Sequence, residues 1–182
     1  MRLSGRRLTL LLTTLLAVVI GVGVTAAWTV GRHRGEVPAA VADYRAGPVD
    51  DQSVRLSASA GGHPRASEVL TTVQHYFDAI NSRNYGAWTQ AVASAQSAPQ
   101  TEAQWTRDYS TTTDSNLTVV GIGDDPLRVR MMFTSQQDVE MAPKSLPVAC
   151  INWDVTYLLG EQDGRLVLTG IDPSAQSMTA CA

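Results

Sequence analysis

Acidic residues are missing from the first 35 positions of this 182-residue chain, although the chain contains 17 of them. Five arginines in that stretch give it a charge of +5. Residues 36–182 carry eight Arg and one Lys against 17 acids, which leaves −8. Binding to a nucleic-acid backbone needs clusters of Lys and Arg. The acidic main part of the chain therefore argues against nucleic acid as a partner, and the basic end is typical of the flank of a membrane segment.

Charged side chains are also absent between Arg7 and Arg32. As a helix, residues 8–30 would span about 34 Å, enough to cross the hydrocarbon core of a bilayer. The arginines before the run favour a cytoplasmic N-terminus. We therefore predict a cytoplasmic tail at residues 1–7 and a transmembrane signal anchor at residues 8–30 that contacts membrane lipid. The protein would then be a single-pass protein of the cell membrane with its C-terminal domain outside.

A cleaved signal peptide is the alternative for the same run. Small residues at Thr25, Ala26 and Ala27 suit a cleavage site, and such sites follow the apolar core of a signal peptide. The protein would then be secreted. Both alternatives export the C-terminal part, so they differ only in whether the exported part stays attached to the membrane.

Cysteine is rare, with only Cys150 and Cys181 in the chain. These two have no metal-ligand spacing and form no Cys-x-x-Cys motif. The sequence also contains no Gly-rich phosphate loop, so it predicts no cofactor and no metal site. In an exported protein two cysteines favour one disulfide, although two free thiols remain the alternative. The loop closed by such a bridge would contribute about 3–4 kcal/mol to stability.

The rest of the chain changes its pattern twice. Residues 31–66 are rich in Gly, Pro, Ala and Ser without apolar periodicity, which predicts a flexible linker. Apolar residues at helical spacing then predict a first helix capped by Ser67 and ending at residues 81–84. A short second helix is predicted at residues 85–93. A capping-box pattern from Thr101 to Gln104 predicts a third.

From Ser115 onward the pattern indicates strands. The predicted strands cover residues 117–122, 127–134, 148–159 and 166–171. Turns are predicted at residues 123–126 and at Asp163-Gly164. Because helices precede strands, the sequence predicts an α+β domain at residues 67–182. Three helices would pack on a curved antiparallel sheet of about four strands.

Two parts of this domain resemble the nuclear transport factor two-like superfamily, also called the SnoaL or ketosteroid-isomerase-like cone fold. Residues 73–85 look like its first-helix signature, an apolar helix followed by Ala79-Ile80-Asn81 and a polar step into an aromatic second helix. Residues 133–138 and 150–158 are similar to strands of small exported actinobacterial-type members, in which a Cys opens a long strand and another Cys follows near the C-terminus. The resemblance implies a cone with an open end. It does not decide function, because the fold hosts enzymes, ligand binders and interaction domains.

Six residues are candidates for lining a pocket in the cone. They are Tyr76, Trp88, Trp105, Trp153, Asp154 and Tyr157. Aromatic residues of this kind are more often part of a core. For an enzyme of this superfamily the candidate bases are His75, Asp78, Asp138 and Asp154. No motif pairs them with a partner for acid–base chemistry, and charged side chains are mostly exposed. The sequence therefore predicts no catalytic residue.

The function predicted first is a non-enzymatic, membrane-anchored interaction or assembly module of the cell envelope, with an envelope protein or a second copy of the chain as partner. The alternatives are a domain that binds a small apolar ligand in the cone, and a SnoaL-like isomerase or cyclase. A filled cone with an exposed apolar patch would favour the module. A cavity of several hundred Å³ would favour a ligand binder. An Asp or His in that cavity with a perturbed pKa would favour an enzyme.

Overall fold

The fold comes from a computed structural model that describes residues 51–182. The predicted tail, the anchor with its lipid contacts and the first part of the linker all lie outside these residues. Within residues 51–182 no helix is long and apolar enough to cross a membrane.

Five strands form a single sheet in chain order. They are β1 (Arg55–Leu56), β2 (Thr113–Gly123), β3 (Arg128–Gln136), β4 (Cys150–Gln162) and β5 (Arg165–Ala180). β1 runs parallel to β2, and each later strand pairs antiparallel with the strand before it. The pairing of β2 with β3 and of β4 with β5 contains register shifts. Irregularities of this kind bend a sheet and increase its twist.

The helices come before β2. They are α1 (Ala58–Gly61), α2 (Ala66–Asn81), α3 (Tyr85–Ala91), α4 (Ser94–Ser97) and α5 (Glu102–Asp108). A 3₁₀ turn at Val139–Met141 lies in the connection between β3 and β4. The predicted α+β class is confirmed, with α2, α3 and α5 close to the three predicted helices.

The strand count and the start of the folded region differ from the prediction. β1 and α1 lie inside the segment predicted as linker, so ordered structure begins before residue 67. Val54 and Ala60 are buried in the main core. A two-residue strand and a one-turn helix are too short to show a period, which is why the sequence pattern missed them. The predicted cap by Ser67 is wrong, because α2 begins at Ala66 after Arg65, without a side-chain cap.

The core lies between α2 and the inner face of the sheet. Val69, Val73, Phe77 and Ile80 are buried on one side of α2, as their spacing requires. Trp105 of α5 belongs to the same core cluster. The capping box that starts α5 is confirmed, with Thr101 accepting from the backbone N–H of Gln104.

The last two strands form a hairpin that is longer than predicted. Asp163 and Gly164 both have positive φ, 52° and 72°, as the favoured two-residue hairpin turn requires. Beyond the predicted end at residue 171, β5 continues along β4 to Ala180. The disulfide between Cys150 and Cys181 is confirmed and joins the start of β4 to the end of β5.

Candidate functional site

A cavity of about 330 Å³ lies between α2, the end of α5 and the inner face of β2 to β5. Its wall is mainly aromatic, with Tyr76, Phe77, Phe133, Trp153 and Tyr157 among the lining residues. The ring centroids of Phe77 and Phe133 are 5.0 Å apart, and those of Tyr76 and Tyr157 are 5.7 Å apart, both edge to face. Phe133 and Trp153 stack across neighbouring strands at 6.2 Å. Contacts at these distances hold the rings in fixed positions, so the cavity has a defined shape.

Asp114 of β2 faces this cavity and is only 3% exposed. It lies directly opposite Ser135 of β3, whose hydroxyl donates a hydrogen bond to the Oδ1 of Asp114. Burial raises the pKa of Asp114 to about 6. The hydrogen bond from Ser135 and the charge of Arg83 oppose this rise. At neutral pH the site therefore holds a carboxylate that is largely ionised although it is removed from water.

Arg83 does not neutralise this carboxylate by an ion pair. Its guanidinium donates to the backbone carbonyl oxygens of Asn81 and Ser110, and it forms no ion pair with Asp114 within residues 51–182. Arg83 thus acts on the charge of Asp114 without contacting the carboxylate, so a ligand in the cavity could still pair with it.

Three tyrosines surround the carboxylate. Burial raises the pKa of Tyr76 and of Tyr157 well above the ordinary value, and the negative charge of Asp114 adds to the rise. Burial, followed by the charge of Asp114, raises the pKa of Tyr109 to about 12. The three phenol groups also influence one another's pKa. All three hydroxyl groups therefore stay protonated at neutral pH and can donate or accept hydrogen bonds.

Asn81, at the end of α2, holds Asp114 in place. The backbone N–H of Asp114 donates to Oδ1 of Asn81 at 2.7 Å, and Nδ2 of Asn81 donates to the carbonyl oxygen of Asp114 at 2.9 Å. One amide side chain thus pairs both backbone groups of a buried residue. The helix end and the strand start are thereby fixed to each other at the point where the carboxylate enters the cavity.

Replacing Asn81 by Ala is expected to lower the free energy of unfolding by about 2 kcal/mol, because it leaves the buried N–H and C=O of Asp114 unpaired. Asn81→Asp keeps the acceptor for the N–H but places a negatively charged oxygen against the carbonyl oxygen of Asp114, so we expect a loss at least as large. Urea denaturation followed by tryptophan fluorescence measures both. Equal stability of N81A and the wild type would contradict this role of Asn81.

The structure brings together only some of the candidates chosen from the sequence. Tyr76, Trp153 and Tyr157 line the cavity. Trp88 and Trp105 lie outside it, packed on each other with centroids 5.5 Å apart in the core. Their indole N–H groups are buried without a hydrogen-bond partner among the described residues.

Asp154 lies away from the cavity lining and makes a two-pronged ion pair with Arg130, at 2.6 and 2.9 Å. His75 and Asp78 are exposed beside a wider, polar groove along α2 and α3. Asp138 is exposed just after β3. None of the four candidate bases lines the cavity.

Sequence reasoning missed Asp114, Ser135 and Tyr109. Asp114 precedes the stretch predicted as the first long strand, in a polar sequence that looks like a loop. The available sequence signal is the position of Asp114 and Ser115 just before a run of β-branched residues. This position does not show that the side chain of Asp114 is buried. Within residues 51–182 no group of three or more His, Cys, Asp or Glu could hold a metal ion.

Comparison with known proteins adds no relative, since no family model, no curated protein and no solved structure matches this chain.

Proposed function

We propose that the domain binds a small, largely apolar molecule in the aromatic cavity. The observation that carries this proposal is the cavity of about 330 Å³ with Asp114 in its wall. Ligand sites commonly have volumes of about 300–1,000 Å³, mostly apolar walls and a few well-placed polar groups. The cavity has each of these properties. The superfamily resemblance supports the same proposal, because a pocket between the first helix and the sheet is what it implies.

The interaction module predicted first has less support from the described surface. A docking module should expose a contiguous apolar patch. Among residues 51–182 the exposed large hydrophobic side chains are Val139 and Ile171, and Ile171 belongs to the cavity wall. An envelope protein partner and a homodimer remain predictions, as does attachment of the domain to the outer side of a membrane by residues 8–30. Ligand binding is compatible with each of them.

A SnoaL-like enzyme is the second candidate, favoured by one observation. Asp114 is a buried carboxylate with a raised pKa that faces the cavity, and such groups are often general bases. An enzyme of this kind would exchange a carbon-bound proton of a ketone ligand with deuterium from the solvent. NMR of bound ketones in D₂O would detect that exchange. Binding without exchange would contradict the enzyme and support ligand binding without catalysis.

A variant that closes the cavity provides the test of binding. Ile171 is 42% exposed in the wall, so Ile171→Trp is expected to narrow the cavity without disturbing the core. The probe is 2-naphthol, and the protein is the full chain in lipid nanodiscs, with empty nanodiscs as the partition control. We expect a Kd of about 0.1–1 mM for the wild type, from the usual affinity per atom of small ligands. For Ile171→Trp we expect a loss of at least about tenfold.

Val139→Trp is the matched control. Val139 is 51% exposed and lies outside the cavity lining, so the same residue is introduced at a similar exposure. It should bind 2-naphthol as the wild type does. The proposal fails if the wild type does not bind the probe above the nanodisc background, or if both tryptophan variants lose binding equally.

A further inference from the structure

We infer that the ligand of this cavity carries a positively charged nitrogen, so that the site takes an apolar organic ammonium compound. The inference rests on the proposed binding function and deepens it by naming the chemical class of the ligand. It comes from the charges in the wall, the hydrogen bonding of Asp114 and the aromatic faces around it.

The cavity wall is charged with one sign only. Asp114 lies at its buried end, and Asp108, on the last turn of α5, adds a second carboxylate to the lining. No Lys, Arg or His of residues 51–182 lines the cavity. Asp108 is 47% exposed and 3.7 Å from Nε of Arg107, so solvent and this neighbour screen its charge. Asp114 is therefore the group that an incoming charge would meet.

The carboxylate of Asp114 is only partly satisfied by the protein. Its Oδ1 accepts from the hydroxyl of Ser135, whereas no residue in the described part of the chain donates to its Oδ2. A buried charge without a counter-ion is costly, and a bound cation that also donates a hydrogen bond removes that cost. An ammonium group supplies both, and charge-assisted hydrogen bonds of this type are stronger than neutral ones. A neutral ligand would leave Arg83 and Ser135 as the groups that stabilise the charge of Asp114.

The aromatic wall favours the same ligand. The rings of Tyr76, Tyr109, Tyr157 and Trp153 line the cavity beside Asp114. The faces of such rings attract cations, most strongly where water is excluded. The tyrosine hydroxyl oxygens can also accept hydrogen bonds from an ammonium group. An anionic ligand would find two carboxylates and no cation in this lining.

The pH dependence follows from the groups that face Asp114. From α2 these are Tyr76 and, just beyond the helix, Arg83; from the end of α5 it is Tyr109; and from β4 it is Tyr157. Ser135 of β3 does not titrate. Burial raises the pKa values of the tyrosines, so their hydroxyl groups stay neutral across the range from pH 5 to 8. Asp114, whose pKa burial raises to about 6, changes its charge within that range.

A matched pair of ligands tests the inference on the full chain in zwitterionic nanodiscs. The pair is 2-naphthylmethylammonium and the neutral 2-naphthalenemethanol, which differ mainly in one charged group. At pH 7.5 we expect the ammonium compound to bind at least about tenfold more tightly. This advantage should fall by about tenfold between pH 7.5 and pH 5, as Asp114 takes up a proton. In Asp114→Asn the two ligands should bind with similar affinity.

The control variant is Glu102→Gln. Glu102 is an exposed acid in the first turn of α5 and lies outside the cavity lining. Its change removes the same unit of charge, and the tenfold preference for the ammonium compound should persist. If Asp114→Asn does not fold, the pH dependence of the wild type decides in its place.

The outcomes separate this inference from the binding function on which it rests. Equal or tighter binding of the alcohol at pH 7.5 would overturn the ammonium preference and leave ligand binding intact. A preference that does not change between pH 7.5 and pH 5, or that survives in Asp114→Asn, would overturn the role of Asp114. Tighter binding of 2-naphthoate than of the ammonium compound at pH 5 would indicate a protonated Asp114 as donor and would also overturn the inference. If neither the ammonium compound nor the alcohol binds, the proposed ligand-binding function is wrong.

Discussion

Asp114→Asn is expected to raise the free energy of unfolding at pH 7.5 by up to about 3 kcal/mol. The pKa of Asp114 rises from 3.8 to about 6 on folding because the carboxyl group is buried. Each unit of such a shift corresponds to about 1.4 kcal/mol between the two protonation states. The ionised, buried carboxylate therefore lowers the stability of the native protein at neutral pH. Asn keeps an oxygen that can accept from Ser135 and carries no charge.

The sign of the pH dependence distinguishes this effect from a change in packing. Between pH 4 and pH 6 the folded state holds a proton on Asp114 that the unfolded state has released. The stabilisation by this group is complete below about pH 4 and is lost as the pH rises through 6. The wild type should lose this contribution over that window, and Asp114→Asn should not. The difference between the two should thus be largest above pH 7 and disappear below pH 4.

Chemical denaturation at several pH values, followed by tryptophan fluorescence, measures this difference. Asp78→Asn is the control, because Asp78 is exposed on α2 and such changes usually alter stability by less than about 0.5 kcal/mol. A loss of stability in Asp114→Asn at pH 7.5 would mean that the ionised carboxylate contributes favourably to the fold. In that case its burial would need no functional reason.

A gain of stability on removing a charged group would connect stability with function. Proteins keep destabilising, desolvated charges chiefly where the charge has a task. At this site the same carboxylate would reduce the stability of the empty domain and favour a cationic ligand. Ligand binding would then recover part of the free energy, since any molecule that binds only the folded state stabilises it.

The local patterns of the sequence predicted much of the fold. The spacing of Val69, Val73, Phe77 and Ile80 determined the buried face of α2. The Asp163-Gly164 pair predicted the hairpin between β4 and β5. Both depend on interactions between residues close in the chain, which a sequence pattern records directly. α1 and β1 were missed because they are too short to show a period, and the second half of β5 because its polar sequence shows no alternation and it is held by pairing with β4.

The site was less predictable than the fold, and β4 illustrates the reason. Alternation along β4 places Asp154 on the opposite side from Trp153 and Tyr157, but a period of two does not say which side faces the helices. In the structure Trp153 and Tyr157 line the cavity and Asp154 pairs with Arg130. Asp114 escaped prediction because its burial results from three separate neighbours, Asn81, Tyr109 and Ser135. These residues come close together only in the tertiary fold.

The second large effect concerns the disulfide between Cys150 and Cys181. Replacing both cysteines by Ser is expected to lower the free energy of unfolding by about 3–4 kcal/mol. The bridge joins residues 31 positions apart, and opening a loop of that length returns this much conformational freedom to the unfolded chain. The effect should appear in urea denaturation of the oxidised wild type against the double-serine variant.

The position of the disulfide in the sheet predicts which residues lose their structure first when the bridge is removed. β5 is an edge strand, and residues 176–180 pair with β4 beyond a register shift, with mostly exposed side chains. Few buried contacts hold them, and segments of this kind open locally before the whole domain unfolds. Besides the bridge, the N–H of Cys181 donates to the carbonyl oxygen of Cys150 at 3.1 Å. Hydrogen exchange of the amides of residues 176–180 should therefore accelerate more than that of β3 in the double-serine variant.

The same segment contributes Gln176 to the cavity lining, so the bridge should also affect binding. Gln176 of β5 and Trp153 of β4 both line the cavity, and Trp153 pairs with Met178 two residues further along β5. When residues 176–180 separate from β4, Gln176 leaves the cavity lining. A reductant should weaken binding of 2-naphthol by the wild type and leave the double-serine variant unchanged, because that variant has no bridge to open. If the reduced wild type keeps both its stability and its affinity, the loop-closure argument fails. The hydrogen bonds of β5 alone would then hold the wall in place.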